Sequence, residues 1–75
     1  MDKLLKEFAS NLRALREERE ISLRDLAEVT DISKSALHQY ENASADPSMT
    51  NLLKLARYFA VSVSWLIGEG GPRHA

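Results

Sequence analysis

The sequence predicts an all-α domain, and three observations carry that reading. Apolar residues recur at steps of three and four through most of the 75 residues, the period of a helix with one buried stripe, and no stretch alternates as a strand would. Serines stand just ahead of the periodic stretches, at Ser22, Ser33, Ser48 and Ser62, where a hydroxyl can cap a helix. Only three Gly and two Pro occur, and both prolines come late, so little interrupts a helical chain.

The elements follow in order. Leu5, Phe8, Ala9, Leu12, Leu15 and Arg19 form one stripe, which predicts a first helix from about residue 2 to about 19. Asp2, Lys6, Glu7, Arg13, Glu17 and Glu20 make its mixed, solvated face. Ser22-Leu23-Arg24-Asp25 has the form of a capping box, a hydroxyl with an acid three residues on, and opens a second helix carrying Leu26, Ala27 and Val29. Thr30-Asp31 interrupts it, since Asp tolerates left-handed backbone better than most residues. Ser33 then opens a third helix to about Asn42. A loop, Ala43-Ser44-Ala45-Asp46-Pro47, leads to a helix start at Pro47-Ser48, and Met49, Leu52, Leu53, Ala56 and Phe59 form the next inward stripe. Ser62 caps a short fifth helix with Val63, Leu66 and Ile67, and Gly68-Glu69-Gly70-Gly71-Pro72 ends it. The chain divides into a helical domain, residues 1–68, and a flexible C-terminal tail, residues 69–75.

Composition narrows the function. A chain this short buries roughly 60% of its unfolded surface, so stability is modest. The absence of cysteine excludes a disulfide scaffold and Cys-ligated zinc and fits a reducing, cytoplasmic setting. No apolar run approaches the ~20 residues of a membrane span, and the acidic, amphipathic start MDKLLKEFAS is unlike a targeting peptide. The two histidines, His38 and His74, are far apart with no ligand cluster, and no phosphate-binding or dinucleotide fingerprint occurs, so neither metal nor cofactor is expected. Ser35, His38 and Glu41 stand at steps of three and invite a catalytic-triad reading. Residues 35 and 41 are about two turns apart, however, and no oxyanion donors are implied, so no enzyme is expected.

The stretch ISKSALHQYEN is unusual. On a helical wheel of ~100° per residue, Lys34, Ser35, His38, Gln39 and Asn42 share an arc of about 140° that holds no acid. Ala36, Leu37 and Tyr40 lie opposite, with Glu41 at the boundary. Such a strip is either the wet face of an amphipathic helix or a face shaped to enter a DNA groove, where Lys, Ser, Gln and Asn can bond base edges. A short helix, a turn of about three residues and a second short helix form a helix-turn-helix.

Here the chain resembles a family. From Phe8 to Gly68, about four-fifths of its length, it is similar to the phage-repressor and Cro (xenobiotic-response-element) family in the stretches LRALREEREISLRDLAEVTDIS, KSALHQYEN and DPSMTNLLKLARYFAVSVSWL. The resemblance implies a five-helix, lambda-repressor-like DNA-binding domain whose second and third helices form the helix-turn-helix. It implies a third helix in the major groove of double-stranded DNA, and a homodimer on a palindromic operator with half-sites ~34 Å apart.

Residue roles follow from the same resemblance. Lys34, Ser35, Ala36 and Gln39 match base-contacting positions: Lys34 toward guanine, Ala36 toward a thymine methyl, Gln39 toward adenine. Ser22, Ser33, His38 and Asn42 match or border positions used on the DNA backbone, with an exposed bystander as the other reading of His38. Arg16 and Glu41 match a bracing ion pair between the first and third helices, the alternative being two solvated charges. Leu55, Val63, Trp65 and Ile67, with Val61, supply apolar surface for a dimer interface, unless Trp65 simply closes the core.

Departures from the family weaken the DNA reading. Leu23 replaces a common glutamine, Asp31 and Ala43 replace glycines, Thr30 holds a usually apolar position, and the loop ASAD brings an acid where bases are common. Net charge is −1. These features also fit a protein-protein interaction module of antitoxin or antirepressor type with weak DNA binding. The tail GEGGPRHA equally reads as the start of a linker to a sensing or self-cleaving domain.

Overall fold

The computed structural model describes residues 2–74, with side chains from Lys3 onward. Met1, Ala75 and the Asp2 side chain of the expected solvated face lie outside the described residues. Five helices run in order: α1 Asp2–Glu18, α2 Leu23–Thr30, α3 Lys34–Glu41, α4 Met49–Phe59 and α5 Val63–Leu66. The all-α class read from the sequence is the observed one. Extended pairing among the described residues is limited to one antiparallel bridge, Val61 with His74.

Each of the last four helices starts on a serine. The hydroxyl oxygens of Ser22, Ser33 and Ser48 accept the N–H groups of Asp25, Ala36 and Asn51 at 3.0 Å, and Ser62 accepts that of Trp65 at 3.1 Å. Each cap satisfies an orphan donor and contributes about 1 kcal/mol. The C-terminal ends are less ordinary. Glu20, Ala43 and Ala60 adopt left-handed backbone (φ 52, 56 and 56°) where glycine is usual. Each closes a double hydrogen bond, Ile21 N–H to Arg16 O, Ser44 to Gln39 and Val61 to Ala56, with Glu20, Ala43 and Ala60 donating to Glu17, Tyr40 and Arg57. Asp31 ends α2 in the same conformation (φ 57°), and Lys54 donates to its carbonyl at 3.2 Å.

The core is one cluster. Phe8, Leu12 and Leu15 of α1 meet Leu26, Ile32, Leu37 and Tyr40, and Leu52, Leu55, Ala56, Phe59, Val61 and Leu66 close it from the other side. α1 packs on α3 and α5, α2 on α3 and α4, and α4 on α5, so α3 is held from behind by two helices. Phe8 and Tyr40 meet edge to face, centroids 5.6 Å apart. Thr30, in a usually apolar position, is buried because its hydroxyl donates to the Leu26 carbonyl at 2.6 Å.

One expectation needs correction. Met49, expected in the inward stripe of α4, is 71% exposed. It has the right phase, yet it is the first residue of α4, and helical side chains lean toward the N-terminus, so it projects past the core. The described part of the C-terminal tail, residues 69–74, folds back onto the domain. Gly68, Gly70 and Gly71 turn it with positive φ (79, 91 and 84°). Ser62 N–H then donates to Arg73 O at 2.8 Å and Ser62 Oγ to Pro72 O at 2.8 Å. Arg73 lies over the Trp65 ring, 4.9 Å from its centroid, and pairs with Glu18. Gly68 is further constrained by space, since a methyl there would sit 2.6 Å from Glu7 Cβ.

Candidate nucleic-acid interface

α3 presents two faces. Leu37, Tyr40 and Glu41 are buried, while Lys34, Ser35, His38, Gln39 and Asn42 are exposed and Ala36 is half-buried. The acid-free strip is therefore a continuous outer surface. Ser33 caps the helix at the end from which Lys34 and Ser35 project, and α1 and α2 support its back. An α-helix is ~10–12 Å across with its side chains, which suits a major groove about 12 Å wide.

The brace stands behind this face. Arg16 of α1 takes both carboxylate oxygens of Glu41, Nε to Oε2 at 2.6 Å and Nη2 to Oε1 at 3.0 Å, and its Nη1 donates to Ile21 O at 3.1 Å. The Glu41 side chain is 3% exposed and that of Arg16 19%. Hydrogen bonding to Glu41 raises the Arg16 pKa above its ordinary value, helped by the charges of Glu41 and Glu17 and opposed by burial. Tyr40 is tied to α4 as well, its hydroxyl accepting from Asn51 Nδ2 at 2.9 Å.

The expected backbone-contacting residues divide by what they already do. Ser22 and Ser33 spend an oxygen lone pair on their caps, which leaves each hydroxyl proton free to donate. Asn42 Nδ2 and His38 Nε2 lie 3.0 Å apart on the exposed face. Glu41 faces inward while Ser35 and His38 face outward, so the three triad-spaced residues share no site.

The expected dimer set also changes. Leu55 is fully buried and Val61 nearly so, and both belong to the core cluster, at the end of the domain where α4 packs on α5. Val63, Trp65 and Ile67 remain half-buried at the surface, with the Trp65 ring partly covered by Arg73. Asn11 of α1 seats this end, donating to the carbonyls of Trp65 and Leu66 at 3.0 and 3.2 Å. Two contributions were missed in the sequence. Arg13 also reaches Glu41, Nε to Oε1 at 3.4 Å, and Leu23, in place of the family's glutamine, packs against the core. The helical wheel placed Arg13 on the solvated face and supplied no signal for the first contact.

Comparison with known proteins agrees with this geometry. The family described as Helix-turn-helix matches residues 12–66. The uncharacterized HTH-type transcriptional regulator YobD of Bacillus subtilis strain 168 is 36% identical over 61 residues, 81% of this chain and 54% of that protein. The cryptic phage CTXphi transcriptional repressor RstR of Vibrio cholerae is 27% identical over 62 residues, 83% of this chain and 56% of that protein. The HTH-type transcriptional regulator SutR of Escherichia coli strain K12 is 36% identical over 67 residues, 89% and 38% of the two chains. The chain thus spans about half the length of the first two relatives or less of the third. No solved structure matches it. Capped second and third helices, an acid-free outer strip and the match over residues 12–66 lead to one conclusion: the chain belongs to the phage-repressor-like, xenobiotic-response-element family of helix-turn-helix proteins.

Proposed function

We propose that the protein is a sequence-specific, double-stranded-DNA-binding transcriptional regulator, a repressor acting as a homodimer on a palindromic operator. α3 lies in the major groove. Lys34, Ser35, Ala36 and Gln39 read base edges, and Ser22, Ser33, His38 and Asn42 hold the backbone. The observation that carries this reading is the acid-free exposed strip of α3 on a helix whose one acid is turned inward onto Arg16. A solvated helix face has no need to exclude carboxylates, whereas a face among phosphates does. The two relatives named as an uncharacterized HTH-type transcriptional regulator and a phage transcriptional repressor support it.

Size supports the dimer. The longest dimension of the chain is 29 Å, short of the ~34 Å between half-sites one helical turn apart, so two copies are needed to read both. Val63, Trp65 and Ile67 are the surface proposed to join them.

Selection from a randomised duplex library at moderate salt tests the proposal. Enrichment of a two-fold symmetric site supports it. A folded, helical protein that enriches nothing would sink it. Net charge −1 and the exposed Asp46 in the α3–α4 loop favour the second reading, a protein-protein interaction module. That module would lack steep salt dependence in its binding to DNA.

A further inference from the structure

Glu41 has one negative charge and faces two guanidiniums. Arg16 already occupies both of its oxygens, at 2.6 and 3.0 Å, and its side chain is largely buried. Arg13 adds only one long contact, Nε to Oε1 at 3.4 Å, and its side chain is 51% exposed. Among the described residues, Nη1 and Nη2 of Arg13 donate no hydrogen bond. The cluster is thus one cation in excess of its carboxylate, and the excess is the exposed arginine.

That arginine lines an open groove of about 580 Å³ between α1 and the end of α3. Lys6, Ser10 and Arg13 line it from α1, and Asn42 and Ala43 from the end of α3. Glu17 and Glu41 are its acids; Glu41 is neutralised by Arg16, and Glu17 makes no ion pair with Arg13. Counting Arg16, three cations meet two carboxylates here, on a chain whose net charge is −1. Asn42 places the groove at the C-terminal end of the acid-free strip.

We propose that Arg13 is a phosphate-binding residue of the DNA interface. Its free guanidinium edge, with Lys6 and Ser10 beside it, takes one backbone phosphate of the strand flanking α3. The proposal rests on the DNA-binding reading above. An arginine fork suits a phosphate's paired oxygens, and buried, compensated Glu41 does not repel it. The contact adds affinity and register without sequence choice.

Salt titrations of binding to the selected duplex and to a random-sequence duplex test this, using the full chain, Arg13→Ala and Arg13→Lys. Loss of one phosphate contact lowers the slope of log K against log salt by about 0.9. Arg13→Ala is expected to show that drop and a similar several-fold weakening on both duplexes, with its urea midpoint nearly unchanged. Arg13→Lys should restore most of the slope. An unchanged slope in Arg13→Ala overturns the proposal while leaving DNA binding intact. So does a weakening that tracks a lowered urea midpoint and is not rescued by lysine, which would mark Arg13 as a structural residue. A wild-type chain with no salt-dependent binding overturns both this proposal and the reading beneath it.

Discussion

The Arg16 guanidinium spans both carboxylate oxygens of Glu41 and donates its third nitrogen to the Ile21 carbonyl, so one side chain of α1 holds both α3 and the turn before α2. Removing the arginine leaves a carboxylate that is 3% exposed with only the long Arg13 contact. Arg16→Ala should therefore cost about 3–5 kcal/mol, against a total stability of roughly 4–11 kcal/mol for a chain of this length. Urea unfolding of Arg16→Ala, Glu41→Gln and the double variant measures the coupling. Additive losses would mean that the two residues do not act as a pair.

The pH dependence of that pair follows from its sign. A group whose folded pKa is raised contributes stability that is fully present below the unfolded pKa and is lost only as pH rises through the folded one. Arg16 is raised from an ordinary value that already lies far above neutral pH. Its contribution should be constant between about pH 6 and pH 10. The difference in urea midpoint between wild type and Arg16→Ala, followed over that range, checks this; a difference that shrinks toward pH 10 would contradict it.

Tyr40→Phe isolates the tie between α3 and α4. The Phe8 edge-to-face contact survives, and the Asn51-to-hydroxyl bond at 2.9 Å is lost. The expected cost is about 0.5–1.5 kcal/mol with the urea m-value unchanged.

Leu37 and Met49 both have an inward phase by periodicity, yet they should respond oppositely. Leu37 is fully buried, and Leu37→Ala should cost about 2–5 kcal/mol. Met49 is 71% exposed, and Met49→Ala should stay within about 0.5 kcal/mol. Thermal unfolding of the two variants compares them directly.

Ala60 closes α4 with φ 56°, a conformation that costs an L-residue about 1–2 kcal/mol. Ala60→Gly removes that strain and adds unfolded-state entropy, for an expected net gain of about 0.5–1 kcal/mol. A rise of several degrees in Tm would register it, and a fall would mean that the turn is not strained.

By itself the sequence determined the helices, their starts and the two faces of α3. Ser22, Ser33, Ser48 and Ser62 act on backbone three residues ahead, and the outward strip from Lys34 to Asn42 follows from helical phase. Both are interactions within a turn or two, which residue order specifies directly. The Arg16–Glu41 pair was legible only through the family resemblance. Tertiary structure alone decided the rest. Arg13 meets Glu41 across 28 positions, and Arg73 meets Glu18 across 55. Leu55 and Val61 leave the candidate dimer surface because they are buried in the core cluster, and Met49 leaves the core because it is the first residue of α4 and projects past it. Phase determines which way a side chain points; what stands opposite it depends on where the chain returns in three dimensions.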